Sequence, residues 1–452
     1  MSSLKAMLVD SAYQAYAYAY PHKTAYRPLE QAIALDRVWS TERRDALFLY
    51  VHIPFCEMRC GFCNLFTQAI PQDRLVAAYL AALQRQAIRV RASLGKARFA
   101  RLAIGGGTPT FLDVADLTNL FDLIESTMGA EPHKIPVSVE VSPQTATEAR
   151  LALLRSRGVD RISIGVQSFI AAETAAAGRP QQVATVYRAL EQIRHMDFPT
   201  LNIDLIYGLP GQTVESWLAS IKTALEFAPE ELYLYPLYVR PLTGLGRSQK
   251  EWNDDRPSFY RQARDLLCDR GYNQISMRMF RAQHAPTATA PIYCCQDDGM
   301  VGLGCGARSY TQKLHYSSEY AVGAKGVADI LSAYIAKSSD AFGLADYGFP
   351  LNAEEQRRRY TIQSLLQQEG LSFANYQQRF GSHILSDLPE LSELESLNLA
   401  VANATPPESY ESRERPWQRL QLTAMGMEHS DTIGPWLYSN KVKHLMETYT
   451  WH

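Results

Sequence analysis

Three of the chain's seven cysteines, Cys56, Cys60 and Cys63, fall within eight positions of one another in YVHIPFCEMRCGFCN (residues 50–64). Thiolates at C-x3-C-x2-C spacing are ligands for soft metals. A structural zinc takes four protein ligands, so this trio would need His52 or a distant fourth. A cubane iron–sulfur cluster held by only three thiolates leaves one iron open, and an open iron is a coordination site for a substrate or cofactor.

Other reactive side chains stand where apolar runs stop. Gly105, Gly106, Gly107 and Thr108 close FARLAIGGGT. Successive glycines let a backbone approach a ligand closely, adopt positive φ and aim N–H groups at an oxygen. A tight strand-to-helix turn uses the same residues. Glu140 in EVSPQT and Asp204 in NIDLIYGLP interrupt apolar segments. A carboxylate there is costly to bury alone, which points to a cationic or hydroxyl-bearing ligand or to an ion pair with an arginine. Gln167 both donates and accepts, and Arg179, twelve residues on, carries the fork that matches a carboxylate.

The elements that must position these groups alternate. LFLYVHIP (47–54), FARLAIGGG (99–107), VSVEVSP (137–143), RISIGVQSF (161–169), LNIDLIYGLP (201–210) and ELYLYPLYVRP (231–241) read as buried parallel strands, each ending in Gly, Pro or Ser signals. Helical patterns lie between them, as at 73–95 and at 147–158, where Thr147 is a candidate N-cap and Gly158 the stop. The alternation predicts an α/β fold: a parallel sheet with helical crossovers, open or curled into a partial barrel. Residues 1–45 form a Tyr-rich arm (YAYAYPHKTAYRPL, 16–29), read either as packing or as a lid over a site. The α/β domain spans 46–330. Residues 331–452 read as a small α or α+β domain, winged-helix-like, with a charged helix at 354–370, a hairpin in 401–423 and a terminal helix from 438. Within it, Ser430, Asp431, Gly434 and Pro435 break a helical pattern and predict a loop that either closes the domain or faces the substrate cavity.

Composition narrows the function class. Of 452 residues, 46% are apolar and 20% charged, with a formal net charge of −2 and no long Lys/Arg run. That argues against a nucleic-acid or membrane-surface partner. No signal core or membrane-length apolar stretch is present, and the odd cysteine count makes a poor disulfide framework, so the chain reads as cytoplasmic. Cys268, Cys294, Cys295 and Cys305 read as small hydrophobes or unpaired thiols.

Taken in order, LYVHIPFCEMRCGFC, GGGTPT, EVSPQT, RISIGVQSF, NIDLIYGLPGQT, LYPLYVRPLTG and GLGCGARSY resemble the radical S-adenosylmethionine (radical SAM) enzymes, and specifically the HemN-like branch. That branch includes oxygen-independent coproporphyrinogen III dehydrogenase, heme chaperones and radical SAM methyltransferases. The resemblance covers residues 47–310 and, more loosely, the C-terminal domain. It implies a partial (β/α) barrel with a HemN-type C-terminal domain, and a [4Fe–4S] cluster on Cys56, Cys60 and Cys63 that cleaves SAM. It further implies SAM contacts from Tyr50, Gly106, Gly107, Thr108, Glu140, Gln167, Arg179 and Asp204, with Phe62 packing on adenine and Leu237 nearby. His52 stays a packing or hydrogen-bonding residue. An external electron donor such as flavodoxin or ferredoxin and a small organic substrate are the implied partners. Two departures matter. Leu65 stands where the coproporphyrinogen enzyme carries a further cysteine, and LHYSSEYAV (314–322) lacks the Asn and Trp of the chaperones' heme motif. The reading these departures favour resembles methyltransferases and cyclopropanases, which bind two SAM molecules, with the coproporphyrinogen dehydrogenase and a heme-binding carrier as the alternatives.

Overall fold

The computed structural model describes residues 4–247, 254–287, 299–404 and 418–451. Two compact units emerge. One comprises Met1–Ala25, Tyr260–Arg281 and Leu351–Thr448; the other comprises Tyr26–Phe259, Ala282–Pro350 and Tyr449–His452. This division cuts across the three segments expected in chain order, and the arm itself is split. Arg27–Ala34 is a strand that pairs antiparallel with Leu344–Pro350, whereas the tyrosines before it belong with the C-terminal segment. Cys294 and Cys295 lie outside the described residues.

The larger unit is built on one sheet. Its strands are β1 (Arg27–Ala34), β2 (Leu47–Ile53), β3 (Phe99–Gly106), β4 (Val137–Val141), β5 (Arg161–Gln167), β6 (Thr200–Tyr207), β7 (Glu231–Pro236), β8 (Met300–Leu303), β9 (Arg308–Tyr310), β10 (Leu314–Ser317) and β11 (Leu344–Pro350). In space they run β1-β11-β10-β9-β8-β2-β3-β4-β5-β6-β7. From β8 to β7 every pairing is parallel, and from β8 to β1 every pairing is antiparallel. The six apolar runs are β2 to β7. Each strand stops before the Pro, Ser or Gly that ends its run, leaving those residues to shape loops at the strands' C-terminal ends.

Near-continuous burial of β2, with only Tyr50 half-exposed, marks a parallel strand covered on both faces. The crossover helix Asp73–Leu94 buries Val76, Tyr79, Leu83, Ala87, Val90 and Leu94, a stripe of helical period. It ends at Gly95, whose φ of +61° is open to glycine without strain. The helix Val214–Glu226 starts with a capping box between Thr213 and Ser216. No helix among the described residues is long and apolar enough to cross a membrane.

The smaller unit is α+β. Leu371–Ser372, Gln418–Leu422 and Ala400–Ala404 form an antiparallel sheet in that order, so the expected hairpin is present. The arm's tyrosines pack inside this unit. Tyr20 donates to Glu355, Tyr18 accepts from the Met277 N–H at 3.1 Å, and Tyr16 and Tyr18 lie 4.7 and 5.2 Å from the Arg278 guanidinium. The stretch expected to be a loop at Asp431 is instead a helix, Ser430–Trp436, with Pro435 inside it. Asp431 is fully buried. It is ion-paired with Arg278, and its backbone carbonyl accepts from Gln14 and Ala15. Gly434 and Pro435 are tolerated because the helix packs against the arm, where a Cβ on Gly434 would come within 2.3 Å of Ala17. Asp431 therefore closes its own unit.

Removing Asp431 strands the Arg278 charge in the interior. Asp431→Ala should cost about 3–5 kcal/mol, read as an earlier urea-unfolding transition in circular dichroism. An unchanged midpoint would show that the pair does not hold this unit.

Candidate functional site

β2 ends at Ile53, and the chain then forms a short parallel pair, Phe55–Cys56 with Gln68–Ala69, which closes the loop carrying all three cysteines. The end of β3 is fastened to it. Gly107 N–H donates to Ile53 O at 2.8 Å and Thr108 N–H to Phe55 O at 2.7 Å. Only glycine fits at 107: a Cβ would lie 2.5 Å from Phe55 O and 2.9 Å from Cys56 Sγ. The Thr108 hydroxyl stands 3.7 Å from Cys56 Sγ.

The middle of the loop is pinned from both sides. Gly61 N–H donates to Ala177 O at 3.1 Å, and Gly61 O accepts from Leu245 N–H at 2.7 Å. Arg179, just past that turn, has Nη1 3.2 Å from Cys60 Sγ and Nη2 2.7 Å from Gly165 O, so it ties the loop to β5. After Cys63, the Tyr320 hydroxyl donates to Asn64 O, and the Tyr449 hydroxyl donates to Tyr320 O at 2.6 Å.

Burial pushes the Cys56 thiol up to about 12, with the neighbouring Cys63 adding to the effect, and burial also raises Cys63. Thiols whose ionisation is disfavoured in this way ionise when a metal takes the proton's place. Among the described residues, no three His, Cys, Asp or Glu side chains converge on one point as ligands of a single ion. A cubane takes one thiolate per iron, so three thiols on one short loop suit it. Their donor chemistry fits a [4Fe–4S] cluster.

Behind the loop, alternate residues of β4 to β7 face the barrel interior, and the register aligns Glu140 with Ser163, Gly165 with Asp204, and Asp204 with Tyr233. Glu140 accepts from Gly106 N–H at 3.0 Å. Water reaches this carboxylate from the interior, yet protein surrounds it, and that burial raises it to about 7. The Gly106 hydrogen bond opposes the shift, Asp204 adds to it, and Arg161 opposes it. Asp204 is likewise pushed up to about 6 by burial, against hydrogen bonds from Asn202 and Ser163 and the charge of Arg161.

Gln167 sits at a bulge of β5 with φ +70°, which turns its amide back over Gly165, where a Cβ would meet Nε2 at 2.7 Å. A non-glycine in this region costs of order 1–3 kcal/mol and tends to cluster at functional sites. Phe62 and Tyr235 pack against a buried group made by Leu237, Leu245, Ile206, Leu209 and Ala177. Tyr50 faces inward on β2, beside Phe48, Met300, Tyr310 and Ala103. Its hydroxyl lies 3.3 Å from His52 Nδ1, while His52 Nε2 is 3.0 Å from Phe66 O, so both ring nitrogens of His52 have polar neighbours within the protein.

The expected residues thus fall into linked groups. Cys56 meets Gly107 and Thr108, Cys60 meets Arg179, Glu140 meets Gly106, and Phe62 shares a cluster with Leu237. Tyr50 lies in a separate cluster. The sequence reading passed over Ser138, Arg161, Ser163, Asn202 and Glu231, which line the same interior. The signal was present as polar residues at every second position of RISIG and LNIDL.

Residues 50–224, which run from β2 past β6, match the family model described as Radical SAM superfamily. The heme chaperone HemW of Bacillus subtilis is 30% identical over 267 residues, covering 58% of this chain and 70% of the relative. The oxygen-independent coproporphyrinogen III oxidase of Cereibacter sphaeroides is 30% identical over 362 residues, 76% of this chain and 78% of the relative. The solved structure of coproporphyrinogen III oxidase (HemN) from Escherichia coli has the same fold, with a TM-score of 0.74 at 24% identity over 92% of this chain and 93% of that one. The barrel, its cysteine loop and these matches define a radical SAM enzyme. Within that superfamily the chain belongs to the HemN-like family, whose members use a [4Fe–4S] cluster and SAM.

Anaerobic reconstitution should load about four irons per chain with a brown, oxygen-sensitive absorbance. A Cys56/Cys60/Cys63→Ala variant should lose both and keep its circular dichroism. Full iron in that variant, or stoichiometric zinc with no iron in the parent, would assign the ligands elsewhere.

Proposed function

We propose that this HemN-like enzyme transfers a methyl or methylene group from a second SAM to an sp² carbon of a small organic substrate. A [4Fe–4S] cluster, reduced by a donor such as flavodoxin or ferredoxin, supplies the electron that splits SAM into methionine and a 5′-deoxyadenosyl radical. The chain's part is to bind, orient and keep water out. Glu140 takes the ammonium of SAM, and Arg179, beside Cys60, takes its carboxylate. Gly106 and Gly107 let the methionyl end approach the loop. Asp204 and Gln167 address the ribose, and Phe62, backed by the Leu237 group, packs on adenine. A second SAM, held in the same interior, would supply the transferred carbon from its methyl group. With one further electron from the donor, methyl transfer would balance as S-adenosylhomocysteine and the methylated substrate.

Leu65 carries the choice of reaction. Its side chain is 46% exposed beside the cysteine loop, where the coproporphyrinogen enzyme has a thiol. A carrier role is disfavoured by His315, which is fully buried in β10 with its ring 4.5 Å from Tyr310 and is not presented to a heme. Oxidative decarboxylation of a porphyrinogen is the second reading, favoured by oxidase relatives such as that of Escherichia coli, 28% identical over 82% of this chain and 84% of the relative.

Reduced with dithionite, the enzyme should form 5′-deoxyadenosine from SAM. With substrate, methyl-labelled SAM should pass label to the product. Conversion of coproporphyrinogen III to protoporphyrinogen IX with release of carbon dioxide and no label would establish the second reading. Heme binding without SAM cleavage would establish the carrier.

The raised carboxyl gives a second test. Below about pH 7 Glu140 is protonated and neutral, and above it the group is an anion facing the interior. SAM affinity should therefore rise between pH 6 and pH 8, and Glu140→Gln should bind weakly with a flatter profile. A parent profile that is flat across this range would remove Glu140 from the ammonium site.

A further inference from the structure

On the walls formed by β4 to β7, three interior carboxylates, Glu140, Asp204 and Glu231, share the guanidinium of Arg161. Its Nε donates to Glu231 Oε2 at 2.8 Å and its Nη1 to Ser138 Oγ at 2.9 Å, and its Cζ lies 5.9 Å from the Tyr233 ring. Glu231 is almost fully enclosed, so this pairing fixes the guanidinium at the base of the barrel. Ser138 stands two positions before Glu140 on the same face of β4, and Arg161 two before Ser163 on β5. Ser163 donates to Asp204 Oδ2 at 3.2 Å, while Asn202 donates to Ser163 Oγ at 2.7 Å and to Asp204 Oδ1 at 2.8 Å. Arg161 thus stands at the base of both carboxylates without occupying them.

We infer that Arg161, pinned by Glu231 and Ser138 one register step below Glu140 and Ser163, is a positioning residue that holds a fixed positive charge on the floor of these walls and sets them for a ligand bearing ammonium and sulfonium charges, without touching that ligand. Three negative groups and one positive leave these walls with a net charge of about −2 when all are ionised, the complement of those two cationic groups. The groups facing Glu140 are the Gly106 N–H from β3, Ser163 and Arg161 from β5, and Asp204 from β6. Those facing Asp204 are Ser163 and Arg161 from β5, Asn202 beside it, and Glu231 and Tyr233 from β7. Burial drives both carboxyls toward the neutral form, and the guanidinium opposes that. Removing it shifts the ionisation of both to higher pH.

This inference rests on the proposed SAM site, and the test separates the two. SAM binding is measured anaerobically by equilibrium dialysis on the cluster-loaded protein from pH 6 to pH 9, with iron content checked in each variant. Arg161→Gln should move the rise in affinity upward by about one pH unit, so that binding near pH 7 falls about tenfold and recovers by pH 9. Arg161→Lys, which restores the charge, should follow the parent. Should Arg161→Gln fail to fold around an unpaired Glu231, Glu231→Gln, which keeps the guanidinium and removes an anion facing Asp204, should move the rise in affinity downward instead. A parent-like profile in the variant that folds, or an equal loss at every pH, would overturn the inference. A parent that binds no SAM would overturn the proposed site first.

Discussion

The close approach between the end of β3 and the start of the cysteine loop is the constraint on which the site depends. Two backbone hydrogen bonds, from Gly107 to Ile53 and from Thr108 to Phe55, hold the strand end against the loop. The separation they impose leaves no room for a side chain at 107. That contact places Cys56 beside Thr108, and through Gly106 it brings the Glu140 carboxyl next to the same strand end. Arg179 makes the corresponding tie on the far side, joining Cys60 to β5. The thiols are therefore positioned by the sheet, and the loop's own turn preferences matter less.

A barrel interior that holds carboxylates pays in solvation for what it gains in recognition. Glu140 and Asp204 would each ionise readily in water, and the fold pushes both upward by surrounding them with protein. The hydrogen bonds from Gly106, Asn202 and Ser163 reduce the penalty without cancelling it. Such a wall is poorly matched to an empty state and well matched to a cation, which is the condition for using buried charge in binding.

The parallel sheet was legible because its strands are short, rich in branched and aromatic residues, and each run ends in a turn signal. The cysteine spacing and the glycine run marked the loop and its partner strand equally plainly. Less legible was the smaller unit, because its stability rests on pairs far apart in the chain: Arg278 with Asp431, Tyr20 with Glu355. Local pattern made Ser430–Trp436 look like a loop, since Gly434 and Pro435 weaken a helix in isolation, whereas packing against Ala17 holds it. Arg161 escaped notice for a related reason. A lone arginine opening an apolar run resembles a strand boundary until register places it opposite Ser138.

The composition of that smaller unit has a consequence for how the molecule is made. Tyr16, Tyr18 and Tyr20 are made more than three hundred residues before Glu355 and Asp431. At about 5–20 residues per second, the arm waits on the order of tens of seconds for its partners. During that interval the sheet of the larger unit is emerging, and the arm's aromatic surface has nothing of its own to cover it. Translation therefore leaves these rings without their partners until the segment carrying Glu355 and Asp431 has been made.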